Sequence, residues 1–562
     1  MMDGLKLSLL GLALAVSACG GGAGAAPGQG SPAPSPTPVP TPSVVSANDA
    51  ARFLNQASFG ATPREVAALT GQANFNAWLA AQKAQPISRQ LPELQRLQAS
   101  GAEVFQNQRQ AVWWQHALTA PDQLRLRMAF ALSQIMVVSD QGANLDADAL
   151  GLAYYYDLLS EHALGNFRAL LEAVTLSTQM GRYLSMLENQ KPDPAAGIRA
   201  DENFAREVMQ LFTVGKTRLN ADGTPVRDAN GNPLPSYTQA DIENLARVFT
   251  GWSWRESDPS RQNLRSYDPG DELFPMQAFE RFHDTDAKTL IGGVNVPAGQ
   301  TAAQDLKVAL DTLFNHPNTA PFISQQLIQR LVTSNPSPAY VRRVADVFAN
   351  NGSGVRGDLY AVAVAILTDP EARQPNLSSP NTGKLREPIL KLAHAWRVFD
   401  AIGKNGRYDY WGAERDFLQA PLRSPSVFNF FQPQFQPVGA ITSAGLVAPE
   451  FQIVQENSVV SGANKLWNVS NEYQFSGGDG GTFYTDLTIR MDFRPWETKA
   501  TAAGLDALIE EMNTLFLAGQ MPSAMRSTLK DYLASLPESR PQERVADLVM
   551  LITTSPQYAV QK

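Results

Sequence analysis

Cysteine is almost missing from this chain: its 562 residues contain one, Cys19. A single thiol excludes an intramolecular disulfide framework, a CxxC zinc site, a cysteine-ligated iron–sulfur cluster and a CxxCH haem c attachment. Histidine is scarce as well, with five residues and no HExxH or HxH spacing. There is no lysine- or arginine-rich block, and the net charge is −8. Phosphate binding needs concentrated positive charge, so nucleic acid is not an expected partner. GxSxG and P-loop patterns are missing too, which removes the nucleophile-elbow hydrolases and the nucleotide cradle. With 44% hydrophobic residues, the chain can nevertheless bury a large core.

The first segment carries an address. Lys6 precedes an apolar run from Leu7 to Val16, which ends in Ser17-Ala18-Cys19. The run is too short to span a bilayer and fits a secretory signal peptide over residues 1–18. Val16-Ser17-Ala18-Cys19 resembles a bacterial lipobox, in which the cysteine is acylated and becomes the mature N-terminus. The alternative is an ordinary signal peptide cut near Ala18 or Ala26. Residues 19–46 are almost wholly Gly, Ala, Pro, Ser and Thr, with seven prolines between Pro27 and Pro42. The glycine half should be flexible and the proline half an extended spacer, at roughly 3.1 Å per residue. Each buried acyl methylene adds about 0.8 kcal/mol, so several chains anchor firmly. The expectation is an exported body tethered to the envelope membrane by lipid at Cys19. Gly20, rather than aspartate, after the cysteine favours the outer membrane of a Gram-negative cell.

From residue 47 to 562 the dominant period is helical. Leu505, Leu508, Ile509, Met512, Leu515 and Phe516 recur at three and four, as do Val341, Val344, Ala345 and Phe348, and Leu306, Leu310, Leu313 and Phe314. No βαβ rhythm is present. The pattern predicts an all-α body of helical hairpins and bundles, forming one large domain. Minor β insertions are expected at Leu219–Tyr237, where Asp222-Gly223 and Asn230-Gly231 mark turns, and after the Gly477–Gly481 cluster, between Thr482 and Phe493.

Several phrases are more specific than the periodicity. They begin with Phe53-Leu54-Asn55-Gln56-Ala57-Ser58-Phe59-Gly60, Tyr155-Tyr156-Asp157 and Met180-Gly181-Arg182-Tyr183-Leu184. Asp201-Glu202-Asn203-Phe204-Ala205-Arg206-Glu207, Ala246-Arg247-Val248-Phe249-Thr250-Gly251-Trp252 and Phe282-His283-Asp284 follow. Lys384-Leu385-Arg386-Glu387-Pro388 and Pro421-Leu422-Arg423-Ser424-Pro425-Ser426-Val427-Phe428 close the series. In this order they resemble the bacterial domain-of-unknown-function 1800 family over nearly everything after the linker. The resemblance implies a large, exported, mostly helical protein with no assigned reaction. It also implies a possible partner, an exported protein of the domain-of-unknown-function 1501 family, often encoded beside it. Where many members read Leu-His-Thr-Leu-Gly, this chain has Leu211-Phe212-Thr213-Val214-Gly215, which argues against a metal site shared through that histidine.

Two clusters are candidates for chemistry. Asp201 suits a helix N-cap, with Phe204, Val208, Leu211 and Phe212 as the buried stripe. Glu202 pairs with Arg206 at a spacing of four, and Asn203 with Glu207. Glu202 and Glu207 stand about 140° apart on the helix and cannot form a carboxylate dyad. These residues make either a surface ion pair or a buried polar network. Farther on, His283, Asp284 and Asp286, followed by Lys288, form the densest set of potential metal ligands, to which Glu202 or Glu207 could add an oxygen. The alternative there is a turn held by aspartate side chains. His116, His162, His316 and His394 read as core or cap residues. The Asn220–Thr224 and Asp228–Asn232 segments each resemble half of a calcium loop but lack its closing glutamate, so they read as tight turns. Trp113-Trp114 and Trp252-Ser253-Trp254 offer either core packing or a carbohydrate-stacking surface.

Two functions follow. The favoured one is a tethered binding or assembly protein for an exported partner or an envelope polymer. The other is an extracytoplasmic metal-assisted hydrolase, in which Glu202, Arg206, Glu207, His283 and Asp284 surround a divalent ion bound by Glu207, His283, Asp284 and Asp286.

Overall fold

Ser46 begins the folded body by accepting a hydrogen bond from the Asp49 amide at 3.1 Å, which caps the helix Ala47–Ala57. Comparable caps recur along the chain. Thr62 precedes the helix Pro63–Leu69, Thr301 and Gln304 form a reciprocal capping box on Ala302–Asn315, and Asp358 caps Leu359–Thr368. The computed structural model describes residues 44–255, 263–265, 267–475 and 489–562. Val44–Lys562 forms one compact unit. Cys19 and the proline-rich tether lie outside the described residues.

The three predicted stripes are the buried faces of Leu505–Leu517, Pro338–Ala349 and Ala302–Asn315, although Phe314 is only partly covered. The body is mainly helical. In the helix Gln123–Ser133 every residue is buried, so its sequence shows no amphipathic period despite Arg125 and Arg127. Such a helix is enclosed on all sides, and the hydrophobic pattern that marks a one-sided helix disappears. Trp113, Trp114 and Trp396 pack edge to face at 5.1 and 5.0 Å between successive rings. Trp113, Trp114, Trp252 and Trp254 are all buried, so the tryptophans serve the core rather than a stacking surface.

The strands are short antiparallel pairs: Trp252–Ser253 with Gln277–Ala278, Lys288–Leu290 with Val294–Val296, Lys384–Leu385 with Val560–Gln561, and Ile402–Gly403 with Ile489–Arg490. The third joins the end of the chain to its middle. Asn55 does the same for the start, donating to the Leu515 carbonyl at 3.3 Å. Leu219–Tyr237 is a double hairpin closed by the bridges Leu219–Pro225 and Arg227–Pro233. Gly223 holds φ +79° at the first turn, a left-handed conformation that glycine adopts without a steric penalty. Asp222 accepts from the Thr224 amide at 2.9 Å, and Asp228 from the Asn230 and Asn232 amides at 2.9 and 2.8 Å. These carboxylates hold their own turns. Gly477–Gly481 lies outside the described residues. Of the Thr482–Phe493 expectation, Ile489–Arg490 is a strand, but its partner is the distant Ile402–Gly403.

Candidate functional site

The Asp201–Thr213 segment folds largely as its sequence dictates. Asp201 accepts from the Asn203 amide at 2.8 Å and starts the helix Asn203–Glu207. Glu202 accepts from Arg206 at 3.0 Å and from Gln239 at 2.9 Å, with the ion pair partly exposed. It is a surface pair. From Val208 to Thr213 the helix widens into a π-helical turn, with the Thr213 hydroxyl donating to the Val208 carbonyl at 2.6 Å. The widened turn shifts the expected stripe: Phe204, Val208 and Phe212 stay buried, while Leu211 lines an open cleft. Glu207 lies on the opposite side from Glu202, buried, with Oε2 unpartnered. Burial pushes its carboxyl up, partly offset by Arg206 and Lys216.

His283 is fully buried, and both ring nitrogens face oxygen acceptors. Nδ1 is 3.0 Å from the Thr250 carbonyl and Nε2 is 3.2 Å from Asp305 Oδ2. Lys288 Nζ donates to the same Asp305 oxygen at 2.7 Å and to the Asp284 and Asp286 carbonyls at 2.5 and 2.9 Å. Gly251 permits this packing, because a Cβ there would lie 2.9 Å from the His283 nitrogen. Asp284 receives the forked guanidinium of Arg247 at 2.7 and 3.0 Å. Burial alone would raise its carboxyl, but Arg247, the Asp286 amide and Lys288 reverse that and hold it below the usual carboxylate range.

This arrangement corrects the metal-site expectation. Glu207, His283, Asp284 and Asp286 do not converge. Asp305 and the Thr250 carbonyl occupy His283, Arg247 occupies Asp284, and the Asp286 side chain is 91% exposed. Among the described residues, no group of three or more His, Cys, Asp or Glu side chains could hold a metal ion. Glu202 pairs with Arg206 and Gln239, while His283 pairs with Asp305 and the Thr250 carbonyl, and Asp284 with Arg247. The cluster is a polar lock that joins the helix Gln239–Val248, the strand Lys288–Leu290 and the helix Ala302–Asn315. His283 and Lys288 share Asp305 Oδ2, Arg247 holds Asp284, and Asp305 Oδ1 is buried without a partner.

The open space lies elsewhere. A cleft of about 990 Å³ is bordered by the π-helical turn, the double hairpin, the helix Thr319–Leu331 and the loops around residues 333–338, 374–383 and 427–434. Thirteen of its lining residues are Gln or Asn, whereas only Lys216, Arg330, Glu371 and Lys562 are charged, and Phe322, Phe428, Phe431 and six prolines stand among them, so the cleft is nearly neutral and mixes amide with apolar surface. Glu371 is engaged by the Ser337 hydroxyl at 2.5 Å and Arg343 at 3.0 Å. Arg330 donates to the carbonyls of Gln134 and Gln326 at 2.9 and 3.3 Å, and burial pushes its guanidinium down to about 10.

Beneath the cleft, Lys384 Nζ lies 2.9 Å from Glu450 and 2.9 Å from the Arg330 carbonyl, and Arg127 donates to that carbonyl at 2.6 Å. Gln134 and Gln419 each donate to Glu387 Oε2 at 2.7 Å. One wall is fixed from behind as well: Ser139 donates to the Ser424 carbonyl at 2.6 Å and Arg109 to the Pro421 carbonyl at 3.1 Å. Of the family-like phrases, Pro421–Phe428 contributes Val427 and Phe428 to the lining, while Lys384 and Glu387 hold the lining residues Arg330 and Gln134 from behind.

Six polar atoms at this cleft are buried without a partner: Gln134 Oε1, Gln326 Nε2, Gln329 Oε1, Arg330 Nε, Ser334 Oγ and Asn429 Nδ2. An unpaired buried donor or acceptor costs about 1–3 kcal/mol unless water or a ligand satisfies it. Sequence reasoning missed it. The one local signal was Gln325, Gln326 and Gln329 interleaved with Ile323, Leu327 and Ile328 in one helix. The other residues come from points hundreds of positions apart.

A family model described as "Protein of unknown function (DUF1800)" matches residues 52–560. No curated protein and no solved structure matches the chain.

Proposed function

The chain belongs to the DUF1800 family, and from that premise we propose that it is a lipid-tethered binding protein of the cell envelope, whose amide-lined cleft holds an exported partner or an envelope polymer. The cleft carries this reading: about 990 Å³ of open space, bordered by neutral polar side chains with buried hydrogen-bonding atoms left over. Binding sites of this kind are largely preformed concavities with a few placed polar groups. The lipobox and the proline-rich spacer supply attachment and reach. No described helix is long and apolar enough to cross a membrane, so anchoring in this reading rests on Cys19. An exported protein of the domain-of-unknown-function 1501 family is one candidate occupant. Glu202, Glu207, His283 and Asp284, on which a hydrolytic reading would be built, do not line this cleft.

Retention of the soluble body, residues 47–562, on envelope material from the producing cell tests the proposal. Gln325→Trp and Gln432→Trp place bulk at two points of the cleft border without removing a hydrogen bond that closes the core. Wild-type protein should be retained and both variants lost at unchanged melting temperature. Equal retention of all three would refute cleft-borne binding.

A further inference from the structure

The charge, hydrogen-bonding capacity and backbone of this cleft narrow the class of its occupant. This step rests on the binding reading above.

Charge comes first. Of the four charged lining residues, Glu371 is neutralised by Arg343 and Arg330 is committed to backbone carbonyls, which leaves Lys216 and Lys562. Two lysines are no match for a polyanion, which would require an ordered array of cations. Among the lining side chains, Glu371 is the one carboxylate, and Arg343 already holds it. The favoured ligand is close to neutral.

Its polar groups must both donate and accept. A side-chain amide offers a carbonyl and an N–H2 in one plane, and a hydroxyl can answer either. Gln326 and Asn429 are the clearest cases. Each residue is 6% exposed, yet neither side chain makes a hydrogen bond among the described residues. Gln329 is tied at one end, donating to the carbonyls of Ser334 and Pro433 at 3.0 and 3.2 Å, while its Oε1 remains unpaired. Gln326, Gln329 and Asn429 all line the cleft, and each keeps an amide atom without a partner. Phe428, 41% exposed, offers an apolar face on the same wall.

The backbone argues against an extended polypeptide. A bound strand needs a row of free N–H and C=O groups along an edge. Here six of the lining residues are prolines, including Pro225 and Pro233 where the hairpin borders the cleft, and proline has no N–H to give. A hydroxyl-bearing ring needs no such ladder, and its C–H face can lie on phenylalanine. The volume is at the top of the range of about 300–1,000 Å³ for small-ligand sites, enough for a segment rather than a single small group.

We infer that the cleft holds a segment of a neutral, hydroxyl-rich glycan strand, with the amides of Gln326, Gln329 and Asn429 binding its hydroxyls and Phe428 one ring face. The experiment uses the soluble body on two matrices from the producing cell: whole envelope, and the same envelope after exhaustive protease digestion. A polyuronate matrix is the charged control. Gln326→Leu removes an unpartnered amide. Asn429→Gly removes another while retaining the left-handed backbone (φ +65°) that Asn429 adopts. Both variants should melt like wild type.

The inference predicts that wild type stays on the protease-treated matrix, is displaced by soluble oligosaccharide released from it, and binds about tenfold more tightly than either variant. Binding abolished by protease but still weakened in the variants would overturn the glycan while leaving a cleft-borne protein partner. Preferential, salt-sensitive binding to polyuronate would overturn neutrality. Identical binding by wild type and both variants would remove both the glycan and the cleft-borne reading.

Discussion

Lys288 and Asp305 form a fully enclosed ion pair, Nζ to Oδ2 2.7 Å, between a short strand and a helix seventeen positions farther on. Removing one partner leaves the other charge buried and unpaired, at a cost of about 3–5 kcal/mol. Asp305→Asn is therefore expected to lower stability by roughly 3 kcal/mol or more, while Asp286→Ala, nearby but exposed, stays within about 0.5 kcal/mol. Urea unfolding of the two variants decides the matter. Similar midpoints would mean that the lock is not structural.

The same lock bears on the metal question. With His283 held by Asp305 and Asp284 by Arg247, dialysis against a chelator is expected to leave the melting temperature within about a degree. His283→Ala should lower stability without altering divalent-metal content. A chelator-induced fall of several degrees, restored by one divalent ion, would reinstate a metal site.

Gln326 should separate stability from binding. Its side chain is buried without a partner, so Gln326→Leu removes a desolvation penalty and retains similar bulk. Stability is expected to be unchanged or up to about 1 kcal/mol higher. Loss of stability beyond about 1 kcal/mol would show that the amide is satisfied in solution by the protein itself.

Asp157 sets a pH dependence. Burial pushes its carboxyl up to about 6, against the amides of Gln90 and Leu91, which donate at 2.7 and 2.9 Å. A carboxyl with a folded value above its unfolded value near 4 binds its proton more tightly when folded. Its contribution is complete below about pH 4 and is lost as pH rises through about 6, on the order of 2–3 kcal/mol in all. Asp157→Asn should flatten the stability profile between pH 4 and 7.5. Parallel profiles for wild type and variant would count against this assignment.

Cys19 carries the anchoring expectation. Cys19→Ala in the full chain should abolish labelling by a fatty-acid analogue and release the body from the membrane fraction. Persistent labelling of that variant would exclude the lipobox assignment.

Local features were legible because local forces make them. The stripes of Leu505–Leu517 and Pro338–Ala349 and the Glu202–Arg206 pair depend on spacing along one helix, and each is found where spacing puts it; the N-cap is Glu202, one residue after the expected Asp201, whose carboxylate still accepts from the Asn203 amide. Leu211 departed from its stripe because the helix widens at Val208–Thr213, which no periodicity announces. His283 stands beside Asp284 and Asp286 in the sequence, but its ring faces the Thr250 carbonyl and Asp305, thirty-three and twenty-two positions away.

Residue order alone specifies a mainly helical body with small β insertions and a family membership spanning residues 52–560, and it carries the expectation of a lipid anchor at Cys19. These are properties of short windows, in which residue spacing fixes which face is apolar. Only the tertiary structure decided what the polar residues do. It turned the His283 cluster into an internal lock by bringing up Arg247 and Asp305, and it assembled a cleft from Gln134, Gln326 and Asn429. Convergence of side chains from distant segments depends on how helices pack, and no local pattern encodes it.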